Sequence, residues 1–241
     1  PALLQLVHIP GSIAGDAFFA SGVDKLFFTG SVATGKQLMG KASATLTPVN
    51  LELGGNDAMI VCRDANLKRA AAGAAWAGIS NCGQSCGGVE RIYVVEEVYD
   101  EFLGLLKSEV SRLRQGNDTS RGGGPVQTDF GSLSTAGQKE KVQRHLAEAL
   151  ELGARESARS SRSTGAAGRG AGPSEDTEAG FFHPAVVLEH TDPTMSVMRD
   201  ETFGPLIAVV RTKTEEDAVR MANDSYLGLT GSVWSMDRRR A

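Results

Sequence analysis

Residues 25–36 read KLFFTGSVATGK. An apolar run, Lys25 to Phe28, stops at Thr29-Gly30-Ser31, and a helical stretch from Lys36 to Ala44 follows. A buried strand that feeds a glycine turn and then a helix is the opening of an α/β unit. The same alternation continues outward. Pro48 to Glu52 reads as extended and is broken by Gly54-Gly55, and Ala58 to Val61 is the next strand. Leu67, Ala70, Ala71, Ala74, Ala75 and Gly78 then recur at helical spacing, with Asp64 placed to cap that helix. The stripe consists of small residues, which suits close packing on a sheet. Arg91 to Val95 is strand-like, and Val98 to Leu113 and Lys139 to Leu152 are amphipathic helices, the second closed by Gly153. Gly122-Gly123-Gly124-Pro125 marks a loop. Ala185 to Leu188, Leu206 to Val210 and Ser232 to Trp234 complete the strands, and Thr214-Glu215-Glu216-Asp217 opens a helix in the manner of a capping box. Residues 154–180, ARESARSSRSTGAAGRGAGPSEDTEAG, carry no large apolar side chain, so composition predicts a flexible surface insertion there.

The bulk numbers bound the function. The chain has 241 residues, 41% of them hydrophobic and 22% charged, with a formal net charge of −4. This is an ordinary globular composition, long enough for one large domain or two small ones. The mild negative balance gives no support for a nucleic-acid or membrane-surface partner. No apolar run reaches the length of a membrane span, and the opening PALLQLVHIPGSIAGDAFF lacks the basic flank of a signal peptide. The three cysteines, Cys62, Cys82 and Cys86, are sparse and odd in number, which argues against a disulfide framework and for a reducing compartment. A cytoplasmic location is the expectation, with the mitochondrial matrix as the alternative.

Four segments can carry chemistry. In Gly30-Ser31 the turn opens a helix whose first N–H groups can face an anion. The pattern G-S-x-x-x-G matches neither standard phosphate fingerprint, and on its own an unliganded βα turn is the simpler reading. In Asn50-Leu51-Glu52-Leu53-Gly54-Gly55-Asn56 a carboxylate stands between two leucines. An apolar setting there would raise its pKa and suit it to proton transfer; the plain alternative is a solvent-facing edge glutamate. In NCGQSCGGVER, residues 81–91, Cys86 lies among glycines that let backbone N–H groups approach a reaction centre, whereas Cys82 reads as a small buried hydrophobe. Two inert, packed cysteines fit this stretch equally well. Cys82-x-x-x-Cys86 lacks metal-ligand spacing, and His8, His145, His183 and His190 supply no pair near it, so no metal is expected. In Arg199-Asp200-Glu201-Thr202-Phe203-Gly204-Pro205 an acid pair precedes an aromatic and a Gly-Pro turn into a strand.

Taken together and in this order, FFTGSxxxGK, LELGGN, GQSCGGVER and DETFGPL resemble the NAD(P)-dependent aldehyde dehydrogenase superfamily. The likeness runs from about Lys25 to Trp234, interrupted by the low-complexity stretch, and Cys86 follows Glu52 at the interval the family keeps between base and nucleophile. The resemblance implies an α/β fold in which residues 1–54 are the C-terminal part of a Rossmann-like cofactor-binding domain and residues 55–241 a catalytic domain. It implies Cys86 as nucleophile and Glu52 as the base that activates the deacylating water. Gly30 and Ser31 would approach the pyrophosphate of NAD or NADP, and Glu201 and Phe203 would hold the nicotinamide ribose and ring. The backbone N–H of Cys86 would be one oxyanion donor. The implied reaction is oxidation of a small-molecule aldehyde to a carboxylic acid through a thiohemiacetal and a thioester. A glutamate at position 52 resembles the hydrolytic members rather than those that acylate coenzyme A.

The resemblance covers about half of a family member. The first βαβ segments are expected to be missing, with the oxyanion-hole asparagine and the lysine that contacts the adenosine ribose. So is the C-terminal part of the catalytic domain. Family members form dimers or tetramers, but the usual oligomerisation strand has no counterpart here, which leaves a homo-oligomer open. Two further readings stand beside the dehydrogenase: a non-catalytic fragment with an incomplete cofactor site, and a thiol esterase or acyl-transfer enzyme that uses Cys86 without hydride transfer.

Overall fold

The computed structural model describes residues 3–116, 128–162 and 180–240. The chain divides into two compact units, Pro1–Gly54 and Gly55–Ala241. In the first unit, helix α1 (Gly11–Ala20) precedes strand β1 (Leu26–Gly30), helix α2 (Val32–Ala42) and strand β2 (Val49–Leu53). β1 and β2 pair in parallel, with Thr29 opposite Glu52 and Gly30 opposite Leu53. Ser31 caps α2, its hydroxyl accepting from Thr34 N at 3.2 Å. Gly35, Leu38 and Ala42 form the buried side of that helix. α1 is not marked in the sequence reading, because Pro10 at its start supplies no side-chain cap and no acid stands in its first turn.

In the second unit, β3 (Asp57–Val61), α3 (Leu67–Ile79), a 3₁₀ turn (Ser80–Gly83), β4 (Val89–Val95) and α4 (Glu96–Arg112) follow one another. Then come β5 (Arg114–Gln115), α5 (Ala136–Glu151), β6 (Arg155–Arg159), β7 (Ser161–Arg162) and β8 (Val186–Glu189). α6 (Ser196–Arg199), β9 (Leu206–Thr212), α7 (Glu215–Asn223) and β10 (Gly231–Trp234) close the chain. Among the described residues the main sheet has six strands in the order β10-β3-β4-β9-β8-β6, and β5 pairs with β7 apart from it. All neighbours in the main sheet run parallel except β6 against β8.

Strand order dictates where the helices lie. The chain moves one way across the sheet from β3 to β4 and the other way from β9 to β10. Parallel crossovers are right-handed, so α3 and α7 cover opposite faces. That double cover explains β4, which is buried along all seven residues and reads VERIYVV rather than alternating. Each of its buried aliphatic side chains contributes roughly 1.5–3 kcal/mol on leaving water. α3 presents Ala70, Ala71, Ala74, Ala75 and Gly78 inward, as the small-residue stripe predicts.

Two expectations need correction. Residues 154–162 are not part of a flexible insertion: β6 runs antiparallel to β8, with Glu156 opposite Leu188 and Arg159 opposite Val186. An edge strand needs only backbone pairing and one small inward face, here Ala158, so the lack of large apolar residues did not preclude it. Arg155 Nε also donates to the buried Glu189 carboxylate at 2.8 Å. The rest of the expected insertion, 163–179, and the loop expected at 122–125 lie outside the described residues. The cap of α3 is Asn66, whose Oδ1 accepts from Arg69 N at 3.1 Å. Asp64 stands two residues too early; its carboxylate instead accepts from Ser235 Oγ at 2.9 Å and Asp237 N at 3.2 Å. Among the described residues, no helix is long and apolar enough to cross a membrane.

Candidate active site

In the first unit the candidate residues sit at the carboxyl ends of two parallel strands, where α/β sheets bind ligands. Gly30 ends β1, Ser31 starts α2, and Glu52 lies near the end of β2. A cavity of about 640 Å³, which Glu52 does not line, opens beside Gly30 and Ser31, with Phe18, Thr34 and Leu38 also in its wall. It combines apolar walls with the N-terminus of an eleven-residue helix, whose first N–H groups have no partner within the helix. Such a cavity fits a ligand with an apolar body and a phosphate. Glu52 does not have the apolar setting the flanking leucines suggest. Strand side chains alternate, so Leu51 and Leu53 are half-buried on one face and Glu52 is exposed on the other.

The second unit is built the opposite way. Gly55 and Asn56 precede β3, Cys86 to Gly88 precede β4, Glu201 to Pro205 precede β9, and Thr230 precedes β10. These strands are parallel neighbours, so all four connections meet at the amino edge of the sheet.

The thiol loop is held by backbone reversal and side-chain anchors. Asn81, Cys82 and Gly83 are successive left-handed residues, with φ of 55°, 60° and 70°. For a non-glycine residue that conformation costs about 1–2 kcal/mol. Reciprocal bonds offset it: Asn81 Nδ2 donates to Gln84 O and Gln84 Nε2 to Asn81 O, each at 2.9 Å. Gln84 Oε1 accepts from both N and Oγ of Ser134 at 2.8 Å. The glutamine of G-Q-S-C is therefore an inward anchor, and the chain beyond it turns out. Cys86 is exposed, while Cys82 and Cys62 are buried. Burial pushes the Cys82 thiol up to about 12, and burial followed by the Glu215 carboxylate pushes Cys62 up to about 11.

Glycines let the other loops close on this one. A Cβ on Gly83 would lie 2.2 Å from the Gly204 carbonyl oxygen, and a Cβ on Gly55 would lie 2.8 Å from the Cys86 carbonyl oxygen. Gly55 N donates to Glu201 Oε1 at 3.2 Å. Glu201 is half-buried, and burial holds its carboxyl above the usual range against the opposing pull of that N–H. Asn56 Nδ2 donates to Asp200 O at 3.2 Å, and the buried Arg91 donates from Nε to Asn56 O at 2.9 Å. Asp57 accepts from Thr230 N at 3.1 Å and Thr230 Oγ1 at 2.5 Å. The structure thus brings Cys86 on one connection and Glu201 and Phe203 on another, both interlocked with the Gly55–Asn56 connection of the same unit.

Glu90, Gln138 and His145, to which the sequence alone assigns no role, hold the 201–205 turn. Gln138 Nε2 donates to the carbonyls of Thr202 and Phe203, both at 2.8 Å. Glu90 accepts from the N–H of Thr202 at 2.7 Å and of Phe203 at 2.8 Å. His145 Nδ1 lies 3.1 Å from Thr202 Oγ1. The signal available in the residues is a glutamate, beside Arg91, in a strand whose other five residues are valine, isoleucine and tyrosine. Elsewhere, Cys62, Asp64 and Glu215 bring donor atoms within 4.8 Å of one another, but Arg240 Nη2 already sits 2.7 Å from Glu215 Oε2.

Residues 1–241 match the aldehyde dehydrogenase family. The chain is 40% identical over 214 residues to 4,4'-diapolycopene aldehyde oxidase of a Methylomonas species, covering 89% of this chain and 36% of that protein. It is 37% identical over 240 residues to succinate semialdehyde dehydrogenase of Acinetobacter baylyi, covering 99% of this chain and 46% of that one. A solved betaine aldehyde dehydrogenase of Staphylococcus aureus, in complex with NAD+, matches with a TM-score of 0.83 at 30% identity, over 96% of this chain and 43% of that chain. The chain spans less than half the length of these relatives.

Proposed function

The chain belongs to the aldehyde dehydrogenase family, and on that premise we propose that it oxidises an aldehyde to a carboxylic acid with NAD or NADP. The observation that carries this reading is the contrast between thiols: Cys86 is exposed on a loop interlocked with the Glu201–Phe203 turn, whereas Cys62 and Cys82 are buried. In this reading the Cys86 thiolate adds to the aldehyde carbon and forms a thiohemiacetal. Backbone N–H groups of the glycine-rich loop hold the resulting oxyanion, that of Cys86 among them. A bound nicotinamide would supply the hydride acceptor for this oxidation. A thioester on Cys86 remains, and Glu52 takes a proton from water as the water attacks it. Gly30, Ser31 and the start of α2 would hold the phosphates of the cofactor, with its apolar body in the adjoining cavity. Glu201 and Phe203 would face its nicotinamide end. The names of the relatives share only the aldehyde, so the aldehyde group is the part of the substrate this reading assigns.

The test is aldehyde-dependent formation of reduced nicotinamide by the purified chain, with Cys86→Ala beside it. Turnover that disappears in the variant supports the reading, and turnover that survives the substitution overturns it. The share of the relatives that the chain spans favours a second reading, in which it keeps the fold without a complete cofactor site. Calorimetric titration with NAD and NADP separates the two, because only the first requires binding.

A further inference from the structure

Glu90 is a carboxylate near the amino end of β4, a central strand of the main sheet. It is 4% exposed and flanked along β4 by Val89, Arg91 and Ile92, all of them buried. A carboxylate in such a place is costly unless its oxygens are occupied. Here each oxygen takes one backbone N–H: Oε2 from Thr202, Oε1 from Phe203. Two adjacent N–H groups aimed at one carboxylate require a bent backbone between them. Immediately beyond them the chain turns at Phe203, whose φ of 52° is left-handed. A phenylalanine rarely adopts this conformation unless its surroundings impose it. On the far side of the turn the Gly204 carbonyl is pressed against Gly83. The turn is therefore pinned between a strand residue and the thiol loop, and its two polar N–H groups have Glu90 as their acceptor.

We propose that Glu90 is a positioning residue: its two oxygens lock the Thr202–Phe203 turn in the bent form that sets Glu201 and Phe203 toward the nicotinamide end of the cofactor. The inference rests on the functional reading above for the direction in which Glu201 and Phe203 point; the clamp on the two N–H groups rests on the Glu90 bonds, while Gln138 holds the carbonyls of the same turn. Glu90→Gln keeps size and removes the match. An amide offers one acceptor oxygen, and its NH₂ group opposes the second N–H. Glu90→Asp keeps both oxygens on a shorter arm and restores part of the match.

Two measurements on the purified chain test it. Hydrogen exchange over residues 199–205 reads the clamp without any cofactor. Glu90→Gln is expected to speed exchange there at least tenfold while β9 stays protected, and Glu90→Asp to fall between. Unchanged exchange in Glu90→Gln overturns the proposal. The second is affinity for NAD or NADP, which is expected to weaken about tenfold in Glu90→Gln, with the aldehyde KM and the rate of Cys86 alkylation unchanged. Faster exchange with unaltered cofactor affinity overturns the positioning role. Failure of the unsubstituted chain to bind either cofactor overturns the functional reading instead, and with it the cofactor half of this proposal, while the exchange result still decides the clamp. If Glu90→Gln does not fold, Glu90→Asp carries both measurements, with the same outcomes deciding.

Discussion

Gly83 and Gly204 meet backbone to backbone, so closely that a methyl group on Gly83 would fall 2.2 Å from the Gly204 carbonyl oxygen. Gly83 also has a φ of 70°. Gly83→Ala therefore combines a left-handed alanine with a clash against main chain that cannot swing aside. The expected loss is roughly 2–4 kcal/mol of stability, read by denaturant unfolding. Gly104→Ala is the control. Gly104 is exposed within α4 and a Cβ there meets nothing within 4 Å. It should gain about 0.5–1 kcal/mol, because alanine orders more cheaply in a helix.

Thiol burial predicts a labelling pattern. Native chain treated with iodoacetamide should acquire one adduct, at Cys86, since Cys82 and Cys62 are buried with thiols pushed to about 12 and about 11. Peptide mass spectrometry checks this. Adducts at Cys82 at a comparable rate would show the thiol loop to be open in solution.

Glu52→Gln should separate the two halves of the proposed reaction. Removing a general base typically costs about 10²–10⁴-fold in the step it serves. That step is thioester hydrolysis, so an acyl adduct on Cys86 should accumulate in the presence of aldehyde and cofactor. Intact-mass measurement detects it. A variant with full turnover and no adduct would remove Glu52 from the role of base.

Two histidines predict acid sensitivity. Burial, followed by the Lys141 charge, lowers the pKa of His145; burial lowers that of His183 against the pull of its bond to the Pro184 carbonyl. In the unfolded chain a histidine titrates near about 6.5. As pH falls through that value the unfolded state takes up protons that the folded state resists, and stability declines. Glu90 runs the other way, because burial raises it to about 8 and the folded state holds that proton more readily above the ordinary glutamate range. Urea midpoints at pH 7 and pH 5.5 for the native chain and His183→Gln isolate the histidine share. The native chain should lose more on acidification than the variant.

Much of the second unit is legible in the residues because its strands are short apolar runs and its helices carry clean periodicity. β6 is not legible, since Arg155 to Arg159 earn their place by backbone pairing at an edge rather than by side-chain burial. The residues around Glu52 allow either an apolar or a solvent-facing setting, and the alternation of strand faces decides for the second. The segments around Cys86 and Glu201 could be singled out, but not their contact. Gly83 meets Gly204, and Gly55 meets Glu201, only once strand order is known. Glu90 shows the same limit: the sequence displays a misfit acid, and the fold supplies its partners.

Placing the second unit's candidate residues ahead of their strands divides its connections into two classes. Those that enter β3, β4, β9 and β10 are tied to one another and leave little room for added length. Those that leave the strands at the far edge, at 63–66 and 190–194, carry none of the candidate residues. Insertions, tags or surface redesign belong on that far rim, where chain length can change while the geometry around Cys86 stays intact.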